Sequence, residues 1–411
     1  MPEVIVDPTL DSEVTAYTGG GNTVCFGPDQ FCPGGVIFNG PLNKVVDKQI
    51  AAFGEVTFRI TDAFKATAGL RVSKLDYTGS VNETGPFLGT TIVTQSSSTD
   101  KPVTPKVVLS WQPERDDLVY LSASKGFRPG GPNVGVGSIC AGNLASLGLS
   151  TVPPKFSSDS LWSYEIGSKN TFFDHRLQIN ASLYYIAWSN IQQNVYLPAC
   201  GEQFTANLGK AKSEGGDIEV LYKPIDALTV DLTAAYTDAR LTKTSCAGSL
   251  IYDGTACTAA TPIHTLVGPI ATQGDALLGA PWSFTAAAEY HFPEWSGHTP
   301  YARLDFQHAT AQKSRLPQQD SNNALFDTTI PGLPVVNNLS ARAGLRFSGF
   351  DISLYADNLT NAHPLLFASR DIAPFSLGPG TGGATGPTTD TLYFGRGVRP
   401  RTIGITATYH Y

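Results

Sequence analysis

From about residue 44 to its last residue the chain alternates apolar and polar side chains with a period of two. In "NLSARAGLRF" (338–347), Leu339, Ala341, Ala343, Leu345 and Phe347 fall on one row, and Ser340, Arg342 and Arg346 on the other. The ending "RPRTIGITATYHY" (399–411) puts Arg401, Ile403, Ile405, Ala407, Tyr409 and Tyr411 on one row, and Thr402, Gly404, Thr406, Thr408 and His410 on the other. An extended strand sends such rows to opposite faces of a sheet. Segments 50–60, 64–72, 176–188, 228–238 and 350–357 behave alike, and thirteen such strands can be counted between residue 44 and residue 411.

The connections narrow the architecture. They alternate short and long: "TDA" (61–63), "ERDD" (114–117), "DH" (174–175), "PIDA" (224–227), "PEWSG" (293–297) and "SG" (348–349) against stretches near 81–99, 128–158, 197–205, 243–279, 312–333 and 368–396. In an up-and-down meander this gathers short turns at one end and long loops at the other. Outer-membrane barrels have that asymmetry, with short periplasmic turns and long extracellular loops. The bilayer interior offers no water to unpaired backbone groups, so only a closed sheet can span it with strands. The apolar row would then meet lipid and the polar row a wet lumen. Tyr120, Tyr185, Tyr236, Phe292 and Tyr409, near strand ends, would form the interfacial girdles. A soluble sandwich or propeller would also alternate, but its loops need not sort by length and a propeller would repeat every 40–50 residues or so.

Composition agrees with a strand-rich chain. Charged residues are 15% of 411, and Gly (41), Tyr (16) and Phe (21) are plentiful. No run of about 18 apolar residues encodes a transmembrane helix. A net charge of −7 argues against a nucleic-acid partner. The start "MPEVIVDPTLDSEV" is acidic and lacks a signal peptide, and Met1 is the single methionine, so further sequence is expected upstream. Cys25, Cys32, Cys140, Cys200, Cys246 and Cys257 all fall on the long-loop side, with no CxxC among them. An even count in Gly- and Pro-rich loops suits disulfides formed in an oxidising compartment, the alternative being free thiols. The expected pairs are Cys25–Cys32 and Cys246–Cys257 within loops, and Cys140–Cys200 between loops.

Catalytic and metal arrangements do not emerge. The seven histidines are scattered without an i, i+4 pair, "GPGTGG" (378–383) opens no helix, and neither GxSxG nor GxxxxGK[ST] occurs. Glu165, Asp217 and Glu219 sit on polar rows, where they are expected to pair with lumenal Arg and Lys. No cofactor is expected.

Several segments together resemble the TonB-dependent outer-membrane receptors: "YLSASKGFRPGGPNVG" (120–135), "YEIGSKNTFFDHRLQINASLYYIAWSNIQ" (164–192), "NLGKAKSEGGDIEVLYKPIDALTVDLTAAYTDARL" (207–241), "NLTNAHP" (358–364) and the terminal strand. Asp217 stands where that family usually has Glu. The resemblance covers residues 44–411 and implies the C-terminal part of a barrel of roughly 22 strands, with residues 1–43 as an extracellular loop and remnant of a preceding strand. It implies a Gram-negative outer-membrane location and energy-coupled uptake of a bulky, scarce nutrient, a ferric siderophore first. The TonB complex would act through a plug domain, and the plug and TonB box are expected to lie outside this chain. Cargo would contact the long loops and upper polar face, with Phe127, Arg128, Asn133, Tyr196 and Gln203 as candidates. Tyr409 and Tyr411 would carry the signal read by the barrel-assembly machinery, and outer-membrane lipid would cover the apolar row. A passive porin or adhesin-type barrel is the other outer-membrane reading. A secreted glycan-binding or glycan-hydrolysing β-protein would need an acidic pair or aromatic platform, which the sequence lacks.

Overall fold

The computed structural model of the chain describes residues 44–83, 92–137, 140–197, 202–246, 268–277, 279–312, 315–324, 326–372 and 391–409. Residues 1–43, with Cys25 and Cys32, lie outside them, as do Cys200, Cys257, His410 and Tyr411.

Thirteen strands follow one another in an antiparallel sheet whose spatial order is the chain order. They are β1 (Lys44–Arg59), β2 (Phe64–Glu83), β3 (Val103–Glu114), β4 (Asp117–Arg128), β5 (Asp159–Phe172), β6 (Leu177–Ser189), β7 (Lys210–Ile225), β8 (Leu228–Leu241), β9 (Trp282–His291), β10 (Thr299–Ala309), β11 (Val336–Phe347), β12 (Phe350–Asp357) and β13 (Thr402–Tyr409). A fourteenth strand, Ile92–Asp100, pairs with the upper half of β2, so the expected loop at 81–99 is largely an extension of the wall. The other expected loop at 197–205 is longer than the sequence suggests. It runs from 190 to 209 and carries its own hairpin, Gln192–Leu197 with Glu202–Asn207.

All six short turns fall where the sequence places them. At the β11–β12 connection Ser348 and Gly349 both have positive φ, 45° and 81°. This is the two-residue turn whose twist matches that of the strands it joins.

The pairing register carries the two rows across the whole sheet. One row runs through Val56, Ala68, Val107, Ala123, Tyr164, Tyr185 and Glu214, and further along through Leu232, Ala286, Phe306, Leu339 and, on β12 and β13, Leu354 and Ile405. Its large apolar members are exposed, Ile50 at 79% and Ile405 at 75%, as a lipid-facing surface requires. Aromatic contacts mark both rims of this face. Tyr236 packs on Trp282 (4.8 Å) and Trp162 on Tyr164 (6.1 Å) at the loop end. Tyr290 packs on Phe292 (4.9 Å) and Phe350 on Tyr409 (4.7 Å) at the turn end.

Tyr120 is a correction to the girdle. It shares its row with Ser122 and Ser124, faces the inner side, and lies over Gly167 of β5.

Most of the buried apolar residues gather in the loops, with a few, such as Leu241 and Tyr301, in the wall. Cys140, Leu144, Leu147 and Val152 of the 129–158 loop pack with Val195, Leu197, Phe204, Ala206 and Leu208 of the 190–209 loop and Ile270 of the 242–281 loop. Ala324 of the 310–335 loop packs against their edge. A short helix, α1 (Ala141–Ser146), contributes Leu144 to this core. Among the described residues no helix is long and apolar enough to cross a membrane.

Candidate functional site

On β9–β12 the inner row is charged, and its charges are paired both within and across strands. The carboxylate of Glu289 bridges His291 (2.9 Å) and Arg303 (3.6 Å), Arg303 also holds Asp305 (2.7 Å), and Arg346 holds Asp351 (2.9 Å). Tyr301 Oη donates to Asp351 at 2.9 Å, and the Arg346 guanidinium stacks on the Tyr301 ring at 4.5 Å. Apart from His291, these groups, with Arg342 and Tyr355, line a cavity of about 370 Å³ on the inner face. Charges inside a membrane wall persist when they face water or one another, and these do both.

The three carboxylates singled out from the sequence do face inward, but among the described residues they form no ion pair with Arg or Lys. Glu165 accepts from Tyr120 Oη at 2.5 Å, Asp217 from Ser182 Oγ at 2.5 Å, and Glu219 from Asn180 Nδ2 at 3.2 Å. In each case a hydroxyl or amide on an adjacent strand donates to the carboxylate.

Four tyrosines on this face lie across glycines at the directly opposed position of the next strand: Tyr120 over Gly167, Tyr184 over Gly215, Tyr301 over Gly344 and Tyr355 over Gly404. A Cβ on Gly404 would stand 2.5 Å from Tyr355 Oη, so the ring occupies the space a side chain would need.

At the mouth, where β4, β5 and β6 enter the loops, Arg128 and Asp159 face each other across the ladder. The guanidinium grips the buried Asp159 carboxylate through both Nε (2.9 Å to Oδ2) and Nη2, and lies 4.6 Å above the Trp188 ring. Asp159 also accepts from the backbone N–H of Arg128 and of Gln192, each at 3.2 Å. Gln192 Nε2 in turn donates to the Pro129 carbonyl at 2.8 Å. This knot ties the 129–158 and 190–209 loops to the wall.

The five cargo candidates do not converge. Arg128 sits at the mouth on the polar row, with its charge already engaged by Asp159. Phe127 shares the outer row with Leu121 and Ala123, because the strand continues through residue 128 where the sequence suggests a loop. Asn133 is buried, and its amide is taken up within the loops: Nδ2 donates to the carbonyls of Pro153 (3.0 Å) and Thr205 (2.8 Å), and Oδ1 accepts from Thr205 N–H (2.8 Å). Tyr196 and Gln203 oppose each other on the 190–209 hairpin, where Gln203 is exposed. Thus Asn133, Tyr196 and Gln203 all belong to the cap loops, Arg128 lies at their base and Phe127 faces away. Asp159 and Trp188, missed from the sequence, complete the mouth. Their signal was their place on the polar row, close to the ends of β5 and β6.

Cys140 and Cys246 are both disulfide-bonded; the expected pairs Cys25–Cys32, Cys140–Cys200 and Cys246–Cys257 each involve cysteines outside the described residues. Among the described residues no cluster of three metal-binding side chains occurs.

Comparison with known proteins agrees with this architecture. A family model described as "TonB dependent receptor-like, beta-barrel" matches residues 11–359. The chain is 26% identical over 174 residues to the pesticin receptor of Yersinia enterocolitica, an alignment covering 42% of this chain and 23% of that protein. Its fold is similar to the ferric yersiniabactin uptake receptor FyuA from Yersinia pestis, with a TM-score of 0.61 and 15% identity over 89% of this chain and 46% of that one. It is also similar to the copper transporter OprC, with a TM-score of 0.55 and 13% identity over 89% of this chain and 48% of that one. The chain thus spans less than half the length of these relatives. A thirteen-strand wall, short turns at one end, packed loops at the other and a family match over most of the sequence lead to one assignment: the chain belongs to the TonB-dependent receptor β-barrel family of the Gram-negative outer membrane.

Proposed function

We propose that this chain forms wall and outer cap of a receptor that takes up a bulky, scarce nutrient with energy supplied through TonB, a ferric siderophore being the first candidate. The observation that supports the reading most is the cap: four long loops share one apolar core above a polar inner face. A passive pore needs no such packed lid, whereas a receptor that must bind rare cargo gains affinity from a pre-organised surface. In this reading cargo meets the exposed upper side of the 190–209 hairpin, including Gln203, and Arg128 with Trp188 at the mouth. A plug domain within the lumen couples to TonB, and the receptor makes and breaks no covalent bond. The strand β13, with Tyr409 and Tyr411, serves as the signal for barrel assembly, and lipid covers the outer row.

The test is uptake in cells expressing the full-length receptor and lacking other siderophore receptors. Radiolabelled iron should enter with one or more of a panel of hydroxamate, catecholate and phenolate chelators, and entry should stop when TonB is deleted. Entry that persists without TonB would favour the passive-pore reading. Entry of copper or cobalamin with no ferric chelate accepted would replace the cargo and keep the mechanism.

A further inference from the structure

Two outer loops meet through a pair of buried carboxyls that nothing in the transport reading uses. Asp275 of the 242–281 loop is 2% exposed and Asp320 of the 310–335 loop 1% exposed. The two side chains lie within hydrogen-bond reach of each other. Asp320 spends its Oδ1 on Arg315 Nη1 (3.1 Å) and on the Asn322 backbone N–H (3.1 Å). The Oδ2 atom of each aspartate is buried and, among the described residues, accepts from no donor. Two such orphans side by side are costly, since a buried polar atom without a partner carries a full desolvation penalty. A proton on Asp275 supplies a donor to Asp320, whose Oδ1 is held by Arg315.

Around this pair the loops are joined by backbone and side-chain bonds. Ala276 N–H donates to the Arg315 carbonyl (2.8 Å), Ala324 N–H to the Pro269 carbonyl (2.6 Å), and Asn323 Nδ2 to Thr272 Oγ1 (3.1 Å). The charged groups acting on Asp275 are Asp320 and Arg315. Arg240, whose strand end bridges to Ala276, is already engaged by Asp238 at 2.5 Å.

We propose that Asp275 and Asp320 form a proton-sharing latch that holds the 242–281 and 310–335 loops together, and that loss of the shared proton loosens this side of the cap. Burial, then repulsion from Asp320, push the Asp275 carboxyl up to about 7, against the pull of Arg315. The packed loops therefore keep the proton at pH values where a loosened loop, with an ordinary aspartate at 3.8, has lost it. The latch is at full strength below about pH 4, weakens as pH rises, and is lost above about pH 7. The inference concerns the loops alone and holds whatever the cargo.

Hydrogen exchange of the full-length receptor in detergent, corrected for intrinsic rates, tests it. The amides of Ala276 and Ala324 should exchange roughly tenfold faster or more at about pH 8.5 than at about pH 5.5, while those of the 190–209 hairpin stay unchanged. Asp275→Asn supplies a permanent donor in place of the proton and should abolish the pH difference, leaving protection high at both values. Asp275→Leu supplies none and should lower protection at both. Equal protection of the wild type at the two pH values would overturn the latch. So would an Asp275→Asn variant that keeps the wild-type pH difference.

Discussion

Tyr355 lies across Gly404, and Tyr301 across Gly344, because a glycine on the opposed strand leaves the only gap into which a ring can fold flat on a lumenal wall. The glycine is therefore fixed by its neighbour's side chain and not by its own backbone. Replacing Gly404 or Gly167 by alanine should displace the tyrosine and cost about 1–3 kcal/mol, as overpacking does. A lowered midpoint in thermal unfolding of the purified receptor would register it, and an unchanged midpoint would show that the ring moves freely. At the mouth, Asp159→Asn removes the charge that holds Arg128 and weakens the acceptor for Gln192 N–H. That change should cost about 1–3 kcal/mol locally, read as faster exchange of the Gln192 amide. Some of this was legible in advance. Alternation put Glu165 and Asp217 on the polar rows, yet their partners could not be read. Tyr120 is 45 residues from Glu165, and only the strand register brings them together. Tyr120 itself was misplaced because proximity to a strand end suggested the rim, whereas its parity with Ser122 puts it inside.

At the scale of elements, strands and loops differ in how openly the sequence declares them. A strand between lipid and water must alternate, and a turn such as Ser348–Gly349 needs residues that tolerate positive φ. Both constraints are local, so the six turns and the thirteen wall strands could be read directly. The cap obeys no period. Leu147, Val195, Leu197 and Phe204 meet in one core, but they come from separate loops with no repeating spacing, so only the cysteines betrayed order there. Phe127 illustrates the boundary: β4 runs one residue past it, and that residue count decides which face it takes. If the cap is a packed unit, Leu147→Ala, at a site 1% exposed, should destabilise it by about 2–5 kcal/mol. Limited proteolysis would then cut the 129–158 and 190–209 loops sooner while the wall stays resistant. Simultaneous loss of wall and cap would mean that the two are one cooperative unit.

On the scale of the whole molecule, β1 and β13 are the two ends of the sheet, and among the described residues neither pairs with the other. Each presents an edge of backbone donors and acceptors, which in a membrane must find a partner. Across the apolar band of the sheet, the outer row faces lipid and the inner row water. Nitroxide labels placed one at a time at positions 338 to 343 of β11, in the full-length receptor reconstituted in bilayers, test it most directly. Collision with oxygen, which concentrates in lipid, should peak at Leu339, Ala341 and Ala343. Collision with a water-soluble nickel chelate should peak at Asn338, Ser340 and Arg342. A profile without that alternation, or with the two sets exchanged, would contradict the account.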